Sequence, residues 1–390
     1  MTPDTDIAIL GAGCAGLSLA AALGEGRVPG QISLLEPREH YTRDRTWCFW
    51  DTEDHPFQRS VSHSWSSWRV SSGVRRVLRR SDRYRYCYLA GDRFYDTALD
   101  LVSRDRNQKL CTGVTVHSVE PHPSGLLAVE TSSGRLLARR VFDSRPAPQA
   151  APTRTGLIQR FLGRHVRTAG PAFLANIVEL MSFLPSTVAG RTRFVYVLPF
   201  SVDEALIEMT YLDEAHLAEP PYAADLQAWI EENIEGGLSA CTLLHEERGA
   251  LPMTTYAAPD TLGGRLLPIG IRGGRLKPSS GYGFLRIQRH SRAIADALRS
   301  GTPLPTAAES RLYPLMDAVF LKTLQRSSLP AEELFLRLFE KSDPDALVRF
   351  LSEASSPAEI LRVAWSLPKA TMLRSALATF SAGRPREARA

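Results

Sequence analysis

The chain has 390 residues, is 44% hydrophobic and carries a net charge of +5, the balance of a globular protein with room for two or three domains or one large interleaved unit. Only five of its 47 basic residues are lysines; this arginine excess fits genomic base composition better than nucleic-acid binding, so no nucleic-acid partner is expected. The five cysteines (Cys14, Cys48, Cys87, Cys111 and Cys241) form no Cys-x-x-Cys pair and the nine histidines have no metal-ligand spacing, which argues against a zinc knuckle, a redox dithiol or another metal site and suits free thiols in a reducing cytosol.

Residues 7–24, "IAILGAGCAGLSLAAALG", are uncharged for 18 residues, the length of a membrane-span candidate. The glycine pattern explains them better. Ile7 to Leu10 read as a buried strand, Gly11, Gly13 and Gly16 have GxGxxG spacing, and Leu17, Leu19, Ala20 and Leu23 continue as a helix. A second apolar strand, "ISLLEP", closes with Glu36, twenty residues past Gly16. In such a unit the first glycine allows the tight turn, the second lets the backbone approach a pyrophosphate, and the third allows close helix–strand packing. The helix start, through Ala12, Cys14 and Ala15, offers unpaired N–H groups and a positive dipole end to phosphates. Glu36 is placed to accept from ribose hydroxyls and to repel a 2′-phosphate, so the nucleotide expected is FAD or NAD, not NADP.

Further along, "RRVLRRSDRYRYCYL" (75–89) is the densest basic run. It reads as a solvated strand or hairpin face, with contact to phosphates or anionic lipid as the alternative. "HPSG" (122–125) marks a hairpin turn between strands near 112–120 and 126–131. "EALIEMTYLD" (204–213) reads as a strand with Glu208 in its apolar centre and no Lys or Arg within the stretch. A buried carboxylate without a partner costs several kcal/mol or takes up a proton. In an extended strand Glu208 shares a face with Leu206 and Thr210, while Ile207, Met209 and Tyr211 point the other way. Thr210 is thus positioned to orient the carboxyl; a solvent-facing glutamate on an edge strand is the alternative.

The segment "LLPIGIRGGRLKPSSGYGFLRIQRHSRAIADAL" (266–298) predicts a strand, a glycine loop and a helix. Gly270, Gly273, Gly274 and Gly281 permit close backbone approach there. The last ninety residues read as helices. Ser356, Pro357 and Glu359 make an N-cap, first-turn proline and capping box; Asp343 and Pro344 repeat that logic. "EELFLRLFEK" places Leu334, Phe335, Leu338 and Phe339 on one helix face, expected in the core or, as the alternative, on a bilayer surface. Residues 381–390 are expected to be disordered.

Several blocks in order carry a resemblance over nearly the whole chain: "RTWCFW" (45–50), "VFDSRP" (141–146), "IQRFLGRHV" (158–166), "YVLPFS" (196–201), "LIEMTY" (206–211), "EERGALPM" (246–253) and "GGRLKPSSGYGF" (273–284). Together they resemble the bacterial flavoprotein lycopene cyclases. That family implies a Rossmann-type α/β FAD-binding domain of the p-hydroxybenzoate-hydroxylase-like kind, an inserted, mostly β substrate domain and a helical C-terminal region. It implies FAD active in the reduced form, with NAD(P)H as external reductant. It also implies lycopene or another carotenoid with an acyclic end as substrate, and peripheral contact with the inner face of the cell membrane from the cytoplasm. Arg45 and Tyr282 then fall among the cofactor-binding residues and Glu208 becomes the catalytic acid. Two positions depart from the family pattern: Met209 stands where a second acid is usual, and Ser182 replaces the aspartate of an upstream Met-Asp-Phe block. Where hydroxylases of this fold have a Gly-Asp pair, Gly270 is followed by Ile271 and Arg272.

The implied reaction protonates a terminal double bond, closes a ring onto the cation and releases a different proton, with no net electron transfer. It requires an acid, electron-rich neighbours such as Trp47, Phe49, Trp50, Tyr196, Phe200 or Tyr282, a base, and exclusion of water. For the base, ionised Glu208 and the flavin are both open. The expected organisation is an FAD-binding domain from 1–60, 85–150 and 260–300, a substrate domain from 155–258 and a helical region from 301–380. Two other readings remain at this point: an FAD- and NAD(P)H-dependent monooxygenase of the same fold, and a catalytically silent carotenoid- or flavin-binding homologue.

Overall fold

The computed structural model describes residues 2–146, 156–186, 191–214, 217–259, 261–305, 312–326 and 329–382, with side chains to 379. The expected disordered tail lies almost entirely outside the described residues. Strand β1 (Thr5–Leu10), helix α1 (Cys14–Glu25) and strand β2 (Ile32–Glu36) form the expected opening unit. β1 pairs in parallel with β2 on one side and with β11 (Gly134–Asp143) on the other. β8 (Gln108–Thr112) extends this sheet past β2, and β17 (Leu266–Pro268) adds to β11 in parallel. The hairpin strands β9 (Val116–Pro121) and β10 (Leu127–Thr131) complete seven strands, with the Gly125 N–H closing the predicted turn onto the His122 carbonyl at 2.9 Å. Ile7, Ile9 and Ile32 share one core with the inner face of α1 and the apolar face of α4 (Phe284–Ser300); Ile9, Leu17 and Leu34 are fully enclosed in it. Strands that are buried on both faces read as continuous apolar runs, which is why β1 and β2 were visible without alternation.

A second sheet, also of seven strands, runs in the order β16 (Cys241–Met253), β12 (Leu157–Thr168), β15 (Glu204–Glu214), β14 (Thr192–Pro199), β13 (Ile177–Leu184), β5 (Ser67–Ser72) and β6 (Arg75–Arg80). All its pairings are antiparallel except β13 with β5. Helix α3 (Tyr222–Asn233) covers one face, packing Leu226 and Ile230 against Ile207, Met209 and Tyr211. A small sheet of β3 (Thr46–Trp50), β7 (Tyr86–Ala90) and β4 (His63–Trp65) bridges the two large ones, and α2 (Gly91–Ser103) follows β7 directly.

The C-terminal helices α5 (Leu312–Arg326), α6 (Ala331–Lys341), α7 (Pro344–Leu351), α8 (Pro357–Ser366) and α9 (Lys369–Ala382) close the other side. Both predicted N-caps are present: Asp343 accepts from the Ala346 N–H at 2.9 Å, and Ser356 with Glu359 makes a reciprocal capping box. The α6 face of Leu334, Leu338 and Phe339 is buried in the core, not displayed to a bilayer. The basic run on β6 is more partnered than a solvated face: Arg75 pairs with Glu333 at 2.7 Å and with Glu340, and Arg79 donates to the Phe339 carbonyl at 2.7 Å. These contacts dock the edge strand on α6. Lys277, 2% exposed, reaches Asp317 at 2.9 Å and Glu353 at 3.3 Å, tying the glycine-rich segment to the C-terminal helices.

Candidate active site

The turn between β1 and α1 has the shape its glycines foretold. Gly11 sits at φ +85°, and a Cβ on Gly16 would lie 2.0 Å from the Gly11 carbonyl oxygen, so no larger residue fits the helix–strand contact. Gly13 is the N-cap of α1 and no side chain caps that end, which leaves its first-turn N–H groups free for an anion. A Cβ on Gly13 would meet only the Arg38 Nη2 atom, 3.9 Å away, so the cradle is open and faces a guanidinium. Ala12 and Ala15 are buried in the turn, and burial pushes the Cys14 thiol up to about 12, so it stays neutral. Gly270 (φ +61°) abuts Ala15, and Gly273 and Gly274 complete a loop beside the same turn. These residues fit a dinucleotide whose pyrophosphate lies over the helix start.

Glu36 is placed differently from the expectation in one respect. Its buried carboxylate accepts from the Ala12 N–H at 2.7 Å and from the Arg38 Nε at 2.8 Å. Burial opposes the charge, but Arg38 and the Ala12 N–H outweigh it and hold the carboxyl below the usual range. Glu36 therefore ties β2 to the β1–α1 turn, its carboxylate shared between the Ala12 N–H and Arg38. Arg45 lies at the cavity rim, mostly exposed, 3.4 Å from Asp44.

A cavity of about 800 Å³ reaches the glycine loop at Ile271, the neighbour of the Gly270 that abuts Ala15. One end is walled by the β3 residues Trp47, Cys48 and Trp50, by the large sheet and by Tyr282 with Phe284. The other end reaches α8 and α9 at Trp365, Lys369 and Leu373. Of the six aromatic candidates, Trp47, Trp50, Tyr196 and Tyr282 line it. Phe49 instead stacks on Phe284 at 4.6 Å, and Phe200 packs on Tyr88 at 4.8 Å. Trp50 meets the rings of Tyr86 and Tyr282 edge-on at 4.8 and 5.3 Å. Tyr196 donates to the Tyr86 hydroxyl at 2.9 Å, and burial pushes both phenols well up, so they remain neutral. Gly281 (φ +75°) turns the chain so that Tyr282 enters this wall.

Glu208 points into the cavity from the centre of β15 and is 8% exposed. Among the described residues it is hydrogen-bonded only to Thr210, whose hydroxyl donates to Oε1 at 2.7 Å, and no Lys or Arg pairs with it. Burial, with a push from the nearby Glu247 carboxylate, raises the Glu208 carboxyl to about 8; the Thr210 hydrogen bond pulls back against both. The group thus keeps its proton at neutral pH and faces an apolar space, the arrangement of a general acid.

The two departures from the family pattern lie on the other face of the sheet. Met209 is fully enclosed against α3, beside Ile207 and Val195. Ser182 is opposite Val195 in register and contacts Ser71 at 3.3 Å. Neither position borders the cavity wall at Glu208.

The residue that sequence reasoning passed over is Glu247. It lies within "EERGALPM", between Glu246 and Arg248, whose side chains remain partly and largely exposed. Glu247 is 7% exposed, lines the cavity and accepts from the Thr46 hydroxyl at 2.8 Å. Burial raises its carboxyl, with Thr46 and the Arg43 charge working the other way. Among the described residues, no cluster of His, Cys, Asp and Glu is arranged to hold a metal ion.

The two-sheet architecture is that of the p-hydroxybenzoate-hydroxylase-like flavoproteins. A geranylgeranyl bacteriochlorophyll reductase-like protein from Thermoplasma acidophilum superposes with a TM-score of 0.63 at 13% identity, covering 95% of this chain and 98% of that one. A mutant of the halogenase PltM in complex with FAD superposes with a TM-score of 0.56 at 11% identity, covering 99% of this chain and 93% of that one. The family model "Lycopene cyclase protein" matches residues 6–377, so the chain belongs to the lycopene cyclase family. It is 27% identical over 309 residues to the lycopene beta-cyclase of Pseudescherichia vulneris, covering 76% of this chain and 75% of that protein. It is 28% identical over 293 residues to that of Pantoea ananas, covering 72% of each.

Proposed function

We propose that this protein is a lycopene beta-cyclase, closing the acyclic end or ends of lycopene into β-rings by a proton-initiated isomerisation with no net redox change. The observation that carries the reading is Glu208: a buried carboxyl with no cation beside it among the described residues, oriented by Thr210, on the wall of a large apolar cavity that reaches the glycine loop packed on the β1–α1 turn. FAD is the proposed cofactor, held by the Gly11–Gly16 turn, Arg38, Glu36 and the Gly270–Gly274 loop, and kept reduced by external NAD(P)H. When bound and reduced, it would supply an electron-rich ring next to a developing cation.

The chain's own residues account for the rest. Glu208 gives its proton to the terminal double bond. Trp50, Tyr196 and Tyr282 present aromatic faces, each worth about 0.5–2 kcal/mol to a desolvated cation. The apolar lining excludes water that would otherwise capture the cation as an alcohol. Polyene delivery from a lipid surface is part of the reading. Trp365 and Leu373, 70% and 63% exposed, border the far end of the cavity, with the Lys369 ammonium 3.7 Å from the Trp365 ring centre. Among the described residues no helix is long and apolar enough to cross a membrane, so the contact proposed is peripheral.

The test is anaerobic incubation with lycopene in lipid vesicles and chemically reduced FAD. Cyclic product without consumption of reductant is the expected result. Bound but unchanged lycopene, or product that appears only once oxygen is admitted and in proportion to reductant consumed, would overturn the assignment.

A further inference from the structure

Ring closure moves two protons, at two carbons of one forming ring. One C–H bond is made at the terminal alkene carbon, and another breaks at a carbon that becomes part of the new ring double bond. Donor and acceptor must therefore reach the same small volume. Glu208 on β15 and Glu247 on β16 both line the cavity, and they are related by strand register: Glu208 lies opposite Gly163 of β12, and Gly163 lies opposite Glu247. Two strand spacings separate their backbones, about 9–10 Å. The position between them has no side chain. A Cβ on Gly163 would come within 3.2 Å of both Glu247 Cγ and Leu206 Cδ1, so the glycine leaves room for these two side chains to lie over β12 between the strands that carry the carboxyls.

Their surroundings differ in one direction. The Thr46 hydroxyl donates to Glu247 at 2.8 Å and the Arg43 charge lies nearby, whereas Glu208 has Thr210 and no cation among the described residues. Paired carboxyls in unlike settings divide the labour of acid and base. We propose that Glu247, as the carboxylate, is the base that removes the last proton. This rests on the cyclase reading above.

The step balances within the chain. The Glu208 O–H bond breaks and its proton adds to the terminal alkene carbon. The electrons of the inner double bond form the ring carbon–carbon bond. The ring C–H bond then breaks, its proton passes to Glu247 and its electron pair becomes the ring double bond. Glu208 is left ionised and Glu247 protonated, and net return of one proton from Glu247 to Glu208 restores both. No oxidant or reductant enters.

The groups facing Glu247 are Arg43 and Asp44 before β3, Cys48 on β3, Tyr88 on β7 and Glu208 on β15; on its own strand its neighbours are His245, Glu246 and Arg248. Wild type, Glu208→Gln, Glu247→Gln and Glu247→Asp should be compared with lycopene and reduced FAD across pH. Glu247→Gln is expected to bind FAD like wild type, lose about 100-fold or more in turnover, and lose the acidic limb of the rate profile, because an amide cannot be switched off by protonation. Glu247→Asp should recover part of the rate together with that limb. Wild-type turnover with the acidic limb intact in Glu247→Gln would overturn the assignment, as would Glu247→Asp folding and binding FAD yet behaving no differently from the amide. If wild type itself cyclises nothing, the cyclase reading fails; if wild type cyclises and only the Glu247 variants are indifferent, this assignment alone fails.

Discussion

The two faces of β15 carry acids under opposite conditions. On the α3 face, Asp213 is fully buried between Arg160 at 2.6 Å and Arg191 at 3.1 Å, and the Tyr211 hydroxyl bonds to Asp225. On the cavity face, Glu208 has a hydroxyl for company and an acidic neighbour in place of a cation. A carboxylate sandwiched by guanidinium groups is neutralised in place and contributes to holding the sheet. One without them holds a proton and keeps it available. Strand geometry separates these settings by a single residue, since alternate side chains take opposite faces. The strand thus carries two buried acids whose partners differ, guanidinium groups on one face and a hydroxyl with a second carboxyl nearby on the other.

The largest effect that tests this contrast is on chemistry. Glu208→Gln should leave folding and FAD binding intact and lower cyclisation by about 10²–10⁴-fold, the usual worth of a general acid. Product analysis checks it, and turnover near wild type would remove the distinction between the faces. Next, Met209→Asp restores the acid usual in the family, but on the α3 face. Burying an unpartnered polar group there should cost at least about 2 kcal/mol of stability, with no gain in rate. Denaturant melts and turnover numbers check both halves, and a faster enzyme would mean that Met209 communicates with the cavity.

The smallest effect concerns the pH at which Glu208 works. The Thr210 hydroxyl stabilises the ionised form, so Thr210→Val should raise the Glu208 pKa further above its value of about 8. Because the proton donor must be protonated, wild-type rate should fall as pH rises through about 8, and the falling limb in Thr210→Val should move to higher pH. Turnover below that limb should drop a few-fold, reflecting a carboxyl that is no longer oriented. An unmoved limb would show that another group sets the alkaline dependence.

Much of the site was visible as local pattern. Gly11, Gly13 and Gly16 follow a strand and open a helix, and each spacing answers a steric demand within a few residues. The alternation around Glu208 placed it with Leu206 and Thr210, away from Met209, because strand periodicity is local too. The caps at Asp343 and Ser356 are likewise satisfied within their own first turns.

The amino-acid order alone therefore determined the nucleotide turn, the mixed α/β character and the face that carries the acid. All of these depend on contacts between near neighbours in the chain. Tertiary structure alone decided that Glu247 stands across Gly163 from Glu208, that Arg38 occupies Glu36, and that Ser182 faces away from the cavity. It also decided that α8 and α9 border the cavity's far end. These facts depend on which strands pair, in what register, and which surfaces they close against, and pairing between distant segments leaves no periodic trace in either one.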